Sequence, residues 1–187
     1  YDVISAFIKS LRGSDPDAAL YWYARMVYAS EDPRFIVRRL LVHAAEDVGM
    51  ADPYALLMAQ AAGFALEWLG MPEARIPIAQ AIIYIATAPK SNSVVNAVDQ
   101  AIATVENTGA GPVPAHLRDT HYSGASKLGH GQGYKYPHDY PHHYAVQDYL
   151  PSQLKNLQVY KPSDQGREKI IKERLEYFAN LKSKSQP

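Results

Sequence analysis

Histidine, acidic and basic side chains fall in three groups whose chemistry can be asked about directly. His138, His142 and His143 crowd beside Asp139, with His116, His121 and His130 upstream. Imidazole and carboxylate suit zinc or another divalent ion. The intervals match no compact ligand motif, and the intervening prolines and tyrosines suit a loop whose rings pack and whose imidazoles hydrogen-bond. No metal ligand is therefore assigned. In the second group, His43, Glu46 and Asp47 share part of a helix face by their three- and four-residue spacing. A di-iron bundle needs Glu-x-x-His on two helices and two further glutamates. Here the order is reversed and occurs once, so the expectation is a hydrogen-bonded polar patch near a helix end. The third group is basic: Arg34, Arg38 and Arg39 on one helix, and Lys90 opening another beside Ser91 and Asn92. Arginine clusters and helix N-termini hold phosphates, which makes these four candidate phosphate or partner contacts. Ion pairing with nearby acids is the competing reading.

A loop that cradles nucleotide phosphates needs glycines, a lysine and a Ser or Thr in fixed order between a strand and a helix. No such run occurs. The stretch from Gly124 to Gly131 (GASKLGHG) has the residue types in another order and no preceding strand. Neither a cofactor nor a catalytic residue is expected in this chain, and no Ser–His–Asp arrangement can be argued from spacing alone.

The elements that must position these groups are helical. Asp15-Pro16, Asp32-Pro33 and Asp52-Pro53 recur at intervals of 17 and 20 residues. Aspartate caps free backbone N–H groups, and proline suits the first helical position, where its missing donor is not needed. Apolar residues follow at helical spacing: Ala19, Trp22, Tyr23, Met26 and Val27; then Ile36, Val37, Leu40, Leu41, Ala44 and Val48, up to Gly49; then Leu56, Leu57, Gln60, Ala61, Phe64, Ala65 and Trp68, up to Gly70. A fourth pattern, Pro72 to Thr87, is apolar nearly all round, which places it in the middle of a bundle or in a subunit interface. A helix from Ser91 to about Asn107 and a stub from Tyr1 to Leu11 complete six helices within residues 1–110. The fold class is all-α, a bundle of antiparallel hairpins.

Beyond Gly111, proline and glycine break any long helix, yet seven of the 14 tyrosines lie between Tyr122 and Tyr160. Disordered linkers are poor in aromatics, so residues 111–163 are expected to form an ordered irregular excursion that docks by its rings. Residues 164–187 are expected to give a last helix, Gln165 to Leu181, with Ile170, Ile171, Leu175 and Phe178 on one face and a frayed tail from Lys182.

Composition bounds the function classes. Lys and Arg total 19, as do Asp and Glu, and that neutral balance argues against wholesale coating of nucleic acid. Residues 1–110 carry 8 basic and 12 acidic groups, and residues 111–187 carry 11 and 7, an asymmetry that a solvated face explains. The absence of cysteine excludes a disulfide framework and thiolate metal sites. The most apolar run, Ile76 to Ala86, is too short to span a bilayer. A soluble, cytoplasmic protein is expected, and the opening Tyr1, already inside a helical pattern, suggests a piece of a longer one.

Six stretches stand out in order: Tyr1 to Trp22 (YDVISAFIKSLRGSDPDAALYW), Ala44 to Pro53 (AAEDVGMADP) and Ala88 to Asn92 (APKSN). Pro112 to Arg118 (PVPAHLR), Gly133 to Pro141 (GYKYPHDYP) and Gln147 to Pro151 (QDYLP) follow. Together they resemble the region that follows the ATPase lid in the RarA/MgsA family of AAA-type ATPases, the replication-associated recombination protein A family. The resemblance covers essentially the whole chain. It implies a parent protein whose ATPase core, with its ATP and Mg, lies outside this chain. It further implies a helical, clamp-loader-collar-like region associated with homotetramer assembly. The parent would act at stalled forks and contact DNA and single-stranded-DNA-binding protein. His142-His143 departs from the family pattern, whereas His138 and Asp139 match it. Trp22, Tyr84, Tyr134, Tyr136, His138, Asp139 and Tyr140 are the candidate structural or interface residues. The last five are expected to order the excursion against the helical body or a neighbouring subunit.

Overall fold

The computed structural model of the chain describes residues 1–185. Among them there are seven α-helices and no strand: α1 Asp2–Arg12, α2 Pro16–Tyr28, α3 Pro33–His43, α4 Tyr54–Leu69, α5 Arg75–Thr87, α6 Ser93–Thr108 and α7 Glu168–Ser185. Two compact units are formed, one from Tyr1–Val98 with Tyr160–Lys172, the other from Asp99–Val159 with Glu173–Pro187.

Local chemistry sets the helix starts. The Asp15 carboxylate accepts from Ala18 N at 2.9 Å and Asp32 from Arg34 N at 2.9 Å. Asp52 accepts from Tyr54 N at 3.0 Å with one oxygen and from the Tyr84 hydroxyl at 2.7 Å with the other. All three Asp-Pro pairs therefore work as caps, and the third also ties α4 to α5. The helix read as running from Pro33 to Gly49 is α-helical only to His43. It then widens into a π turn, Ala44–Val48, and a 3-10 turn, Gly49–Ala51. Gly49 takes a positive φ of 53° there, a conformation that a side chain disfavours.

The first unit is organised around α5, which packs against α1, α2, α3 and α4. Ile78, Ile82 and Ile85 have no solvent exposure and meet Phe7, Leu11, Ile36 and Leu40 in one core. One side of this apolar helix is buried in the bundle, while Ile76, Gln80, Ile83 and Thr87 form an exposed stripe on the other. The consequence appears on α4. Its buried positions are Ala55, Ala59, Ala62 and Leu66. The larger residues that periodicity singles out lie outside: Leu57 is 54% exposed, Phe64 65% and Trp68 76%. The expected face of α4 is thus corrected to the opposite one. The helix is apolar on nearly every side, and small side chains let it approach α5 more closely than Phe and Trp would. On α2 likewise Ala19, Tyr23 and Met26 are buried while Val27 is exposed.

In the second unit, five 3-10 turns punctuate the excursion after α6, among them Pro137–Asp139 and Pro141–His143. It is ordered by side chains. Gln147 bridges the Lys135 backbone, donating to its carbonyl at 2.7 Å and accepting from its N–H at 3.1 Å. The Tyr144 ring stacks on Phe178 of α7 at 4.4 Å, and Arg174 lies over the same Phe178 ring at 4.7 Å. The last helix continues to Ser185, so fraying does not begin at Lys182. The remainder of the expected tail, residues 186–187, lies outside the described residues. Of its expected apolar face, Ile170 and Leu175 are exposed, whereas Ile171 and Phe178 are half-buried.

The orientation of α4 is checked by overpacking. Ala59→Leu should destabilise the chain by about 2 kcal/mol in urea unfolding, and an unchanged midpoint would mean that Ala59 is not on the buried side of α4.

Candidate functional site

Two polar clusters and one cleft stand out in the first unit. The π turn gathers the first cluster. His43, buried, lies with Nδ1 at 2.9 Å from Asp47 Oδ2 and 3.4 Å from Glu46 Oε2. A carboxylate only accepts, so Nδ1 carries the proton and donates. Arg12 donates through Nε to Asp47 Oδ1 at 2.9 Å and through a terminal nitrogen to Glu46 at 3.3 Å. Burial acts to raise the Asp47 pKa, but the hydrogen bonds from His43 and Arg12 outweigh it and hold it below the usual value. The ligand atoms of His43, Glu46 and Asp47 lie within 4.8 Å of one another, close enough to hold a cation. The Arg12 guanidinium already occupies both carboxylates, which makes the arrangement an ion-pair network. The same turn grips the loop after α5, because the Asp47 carbonyl accepts from Ser91 N at 2.8 Å.

The second cluster centres on Glu168, which has no solvent exposure. Its carboxylate accepts from Ser93 Oγ, from the Tyr160 hydroxyl at 2.8 Å, and from Ser163 Oγ at 2.7 Å and N at 3.2 Å. Burial alone would raise its pKa. Hydrogen bonds from Ser93, Ser163 and Tyr160, with the Ser91 hydroxyl behind Ser93, overcome that and bring it down from 4.5 to about 2. Burial, and then the bond to Glu168, pushes the Tyr160 hydroxyl up to about 12. This clasp holds the strap of residues 160–172 against the roots of α4 and α6. Arg167 N donates to the Ala51 carbonyl at 2.8 Å. At Gly166, φ is 52°, and a Cβ would fall against that same carbonyl and 2.7 Å from Pro89. Only glycine permits so close an approach.

Beside the strap lies a cleft of about 610 Å³ lined by Met50, Ala51, Asp52, Pro53, Tyr54, Leu57, Arg167 and Ile170. Its walls are mainly apolar, with the exposed Arg167 among them.

The residues singled out from sequence have these places. Arg34 forks onto Glu67 at 2.7 and 3.0 Å. Arg38 is exposed, and Arg39 is half-buried with Nε unpartnered. Lys90 donates to the Ala86 and Ala88 carbonyls at 2.9 and 2.7 Å and to Ser14 Oγ at 3.2 Å, closing the last turn of α5. Burial lowers its pKa, against the attraction of Asp47. Trp22 is half-buried, with the Tyr21 ring edge-on at 4.9 Å and Arg25 at 5.4 Å. Tyr84 is held by Asp52. In the second unit Tyr134, Tyr136, His138, Asp139 and Tyr140 are all exposed. Tyr136 and His138 approach ring to ring at 5.1 Å, as do His138 and His143 at 4.9 Å. His142 meets the Tyr177 hydroxyl at 3.2 Å. Sequence reasoning missed Gly166 and Glu168. The one available signal was a glycine two residues before a helix-starting acid, in a stretch read as already helical.

The two clusters are ion-pair and hydrogen-bond networks that fix the π turn and the strap to the helix starts beside them. Residues 13–179 match the family model described as MgsA AAA+ ATPase C terminal. An AAA domain-containing protein of Mycobacterium tuberculosis is 54% identical over 176 residues, covering 94% of this chain and 39% of that protein. Replication-associated recombination protein A of Bacillus subtilis is 50% identical over 167 residues, covering 89% and 39%. The protein of the same name from Escherichia coli K12 is 44% identical over 180 residues, covering 96% and 40%. The chain belongs to the C-terminal family of MgsA-type AAA+ ATPases, and it spans about two-fifths of the length of these relatives.

Two outcomes check the clasp. Gly166→Ala should cost about 2 kcal/mol of stability in chemical denaturation, and a neutral effect would remove the close approach from the account. Because the pKa of Glu168 is depressed in the folded chain, its contribution is complete above about pH 4.5 and is lost as pH falls toward 2. The stability gap between wild type and Glu168→Gln should accordingly be level above pH 4.5 and shrink below it. A gap independent of pH would contradict an ionised clasp.

Proposed function

We propose that this chain is the self-association region of a longer AAA+ ATPase, and that it gathers four copies of the parent into a homotetramer acting at stalled replication forks. ATP and Mg belong to the parent's core, and this region carries no catalytic step. DNA and single-stranded-DNA-binding protein are partners of the whole assembly, which works in the cytoplasm at the nucleoid. Among the described residues no helix is long and apolar enough to cross a membrane.

The observation that carries this reading is the amount of large apolar surface left outside. In the first unit, Tyr54, Leu57, Phe64 and Trp68 on α4 and Ile76 and Ile83 on α5 are exposed. A row of large apolar side chains left outside, as on α4, marks a protein contact, and the names of the relatives supply the setting of replication-associated recombination. A second reading, a docking module for DNA or single-stranded-DNA-binding protein, is favoured by one feature. The cleft beside the strap sets Arg167 among apolar walls, a combination suited to an acidic peptide with an apolar side chain.

Light scattering after size exclusion separates the two readings. Self-association predicts a solution mass near four times the 20.8 kDa chain. A mass of one chain at every concentration would overturn it and move the docking reading to first place.

A further inference from the structure

We infer that the outer row of α4, Tyr54, Leu57, Phe64 and Trp68, is the surface by which one copy of this chain binds a second. The inference rests on the self-association reading and names the surface responsible. These residues recur at intervals of three, seven and four, which on a helix is a single face, with Ala61 between them. The helix's inner side, Ala55, Ala59, Ala62 and Leu66, is already spent on the core. The outer row is not a rim of the core. Trp68 and Phe64 are 76% and 65% exposed, with ring centroids 5.8 Å apart.

Charge, area and composition select the occupant. Glu67 is the single charged residue of α4, and Arg34 holds it with two hydrogen bonds. The helix itself therefore presents no unpaired charge, the cation Arg167 standing in the cleft at its Tyr54–Leu57 end, and an uncharged apolar face is complementary to a copy of itself. Tyr54 to Trp68 spans roughly 20 Å of helix. The side chains of the row, with Leu56 at its margin, hold on the order of 600 Å² of open apolar surface. Two such faces together reach about 1,200 Å², the lower bound of a specific interface. Trp, Tyr and Phe at the centre of such a patch are the residue types that dominate binding energy. On the partner's side the same row serves, so each copy contributes the same residues to a two-fold contact.

The test is analytical ultracentrifugation of the full chain as wild type, Trp68→Glu, Leu57→Glu, and Leu175→Glu as a control at an exposed apolar residue of α7 that does not line the cleft shared with Tyr54 and Leu57. Circular dichroism of each shows that the bundle is intact, which the exposure of all three sites predicts. The inference expects an associating wild type, at least a hundred-fold weaker self-association for Trp68→Glu and Leu57→Glu, and an unaltered Leu175→Glu. A wild type that associates while both α4 variants associate equally well would overturn the α4 surface and leave self-association standing. A wild type that stays single-chain at all concentrations would overturn both.

Discussion

Most of the first unit follows from one packing constraint: the isoleucine and alanine face of α5 must be buried. α1, α2, α3 and α4 pack against that face, while Ile76, Gln80, Ile83 and Thr87 stay on the outside. A close-packed interior has little room for mismatch, so each surrounding helix presents what fits. α1 contributes Phe7 and Leu11, α3 contributes Ile36 and Leu40, and α4 contributes a stripe of alanines. Because α4 approaches by its small side chains, its bulky ones have nowhere to go but outward. The exposed aromatic row is in this sense a consequence of how the core is filled, and it leaves the unit with an apolar surface that a second protein can cover.

Polar anchors then hold the pieces that apolar packing does not. Asp52 caps α4 and receives the Tyr84 hydroxyl, joining α4 to α5 by one carboxylate. Asp47 does similar service at the π turn, with its side chain on Arg12 and His43 and its carbonyl on Ser91. Glu168 is the most enclosed of these groups. A carboxylate without solvent is costly unless every lone pair is matched, and here hydroxyls and a backbone N–H from Ser93, Tyr160 and Ser163 meet it. Its position at the start of α7 places that match where the strap of residues 160–172 returns to the bundle.

Helix existence and starts were legible in the sequence because they depend on short-range chemistry. An Asp-Pro pair caps its own helix within three residues, and all three did so. The all-round apolar character of α5 pointed to the middle of the bundle or to a subunit interface, and the helix buries one face while leaving Ile76 and Ile83 outside. What was not legible depends on partners far along the chain. Glu168 looks like an ordinary first-turn acid until Ser93, 75 residues away, arrives beside it. Gly166 looks like a turn glycine until Ala51 and Pro89 fill the space where a side chain would be. The face of α4 was misread for a different reason: with apolar residues on nearly every side, the pattern carries little contrast, and size rather than hydrophobicity decides which side turns in. The basic candidates show the same limit, since Lys90 and Arg34 find intramolecular acceptors that spacing does not reveal.

The proposed contact requires Trp68 to lie outside the folded unit and to become covered by another copy. With only two tryptophans in the chain, replacing Trp22 by Phe leaves Trp68 as the sole reporter. Its emission and iodide quenching, followed from dilute to concentrated protein, measure that claim directly. The account predicts red-shifted, readily quenched emission in dilute solution that shifts to the blue and becomes protected as concentration rises. A Trp68 that is blue-shifted and shielded in the dilute, single-chain protein would contradict it, because the α4 row would then belong to the core.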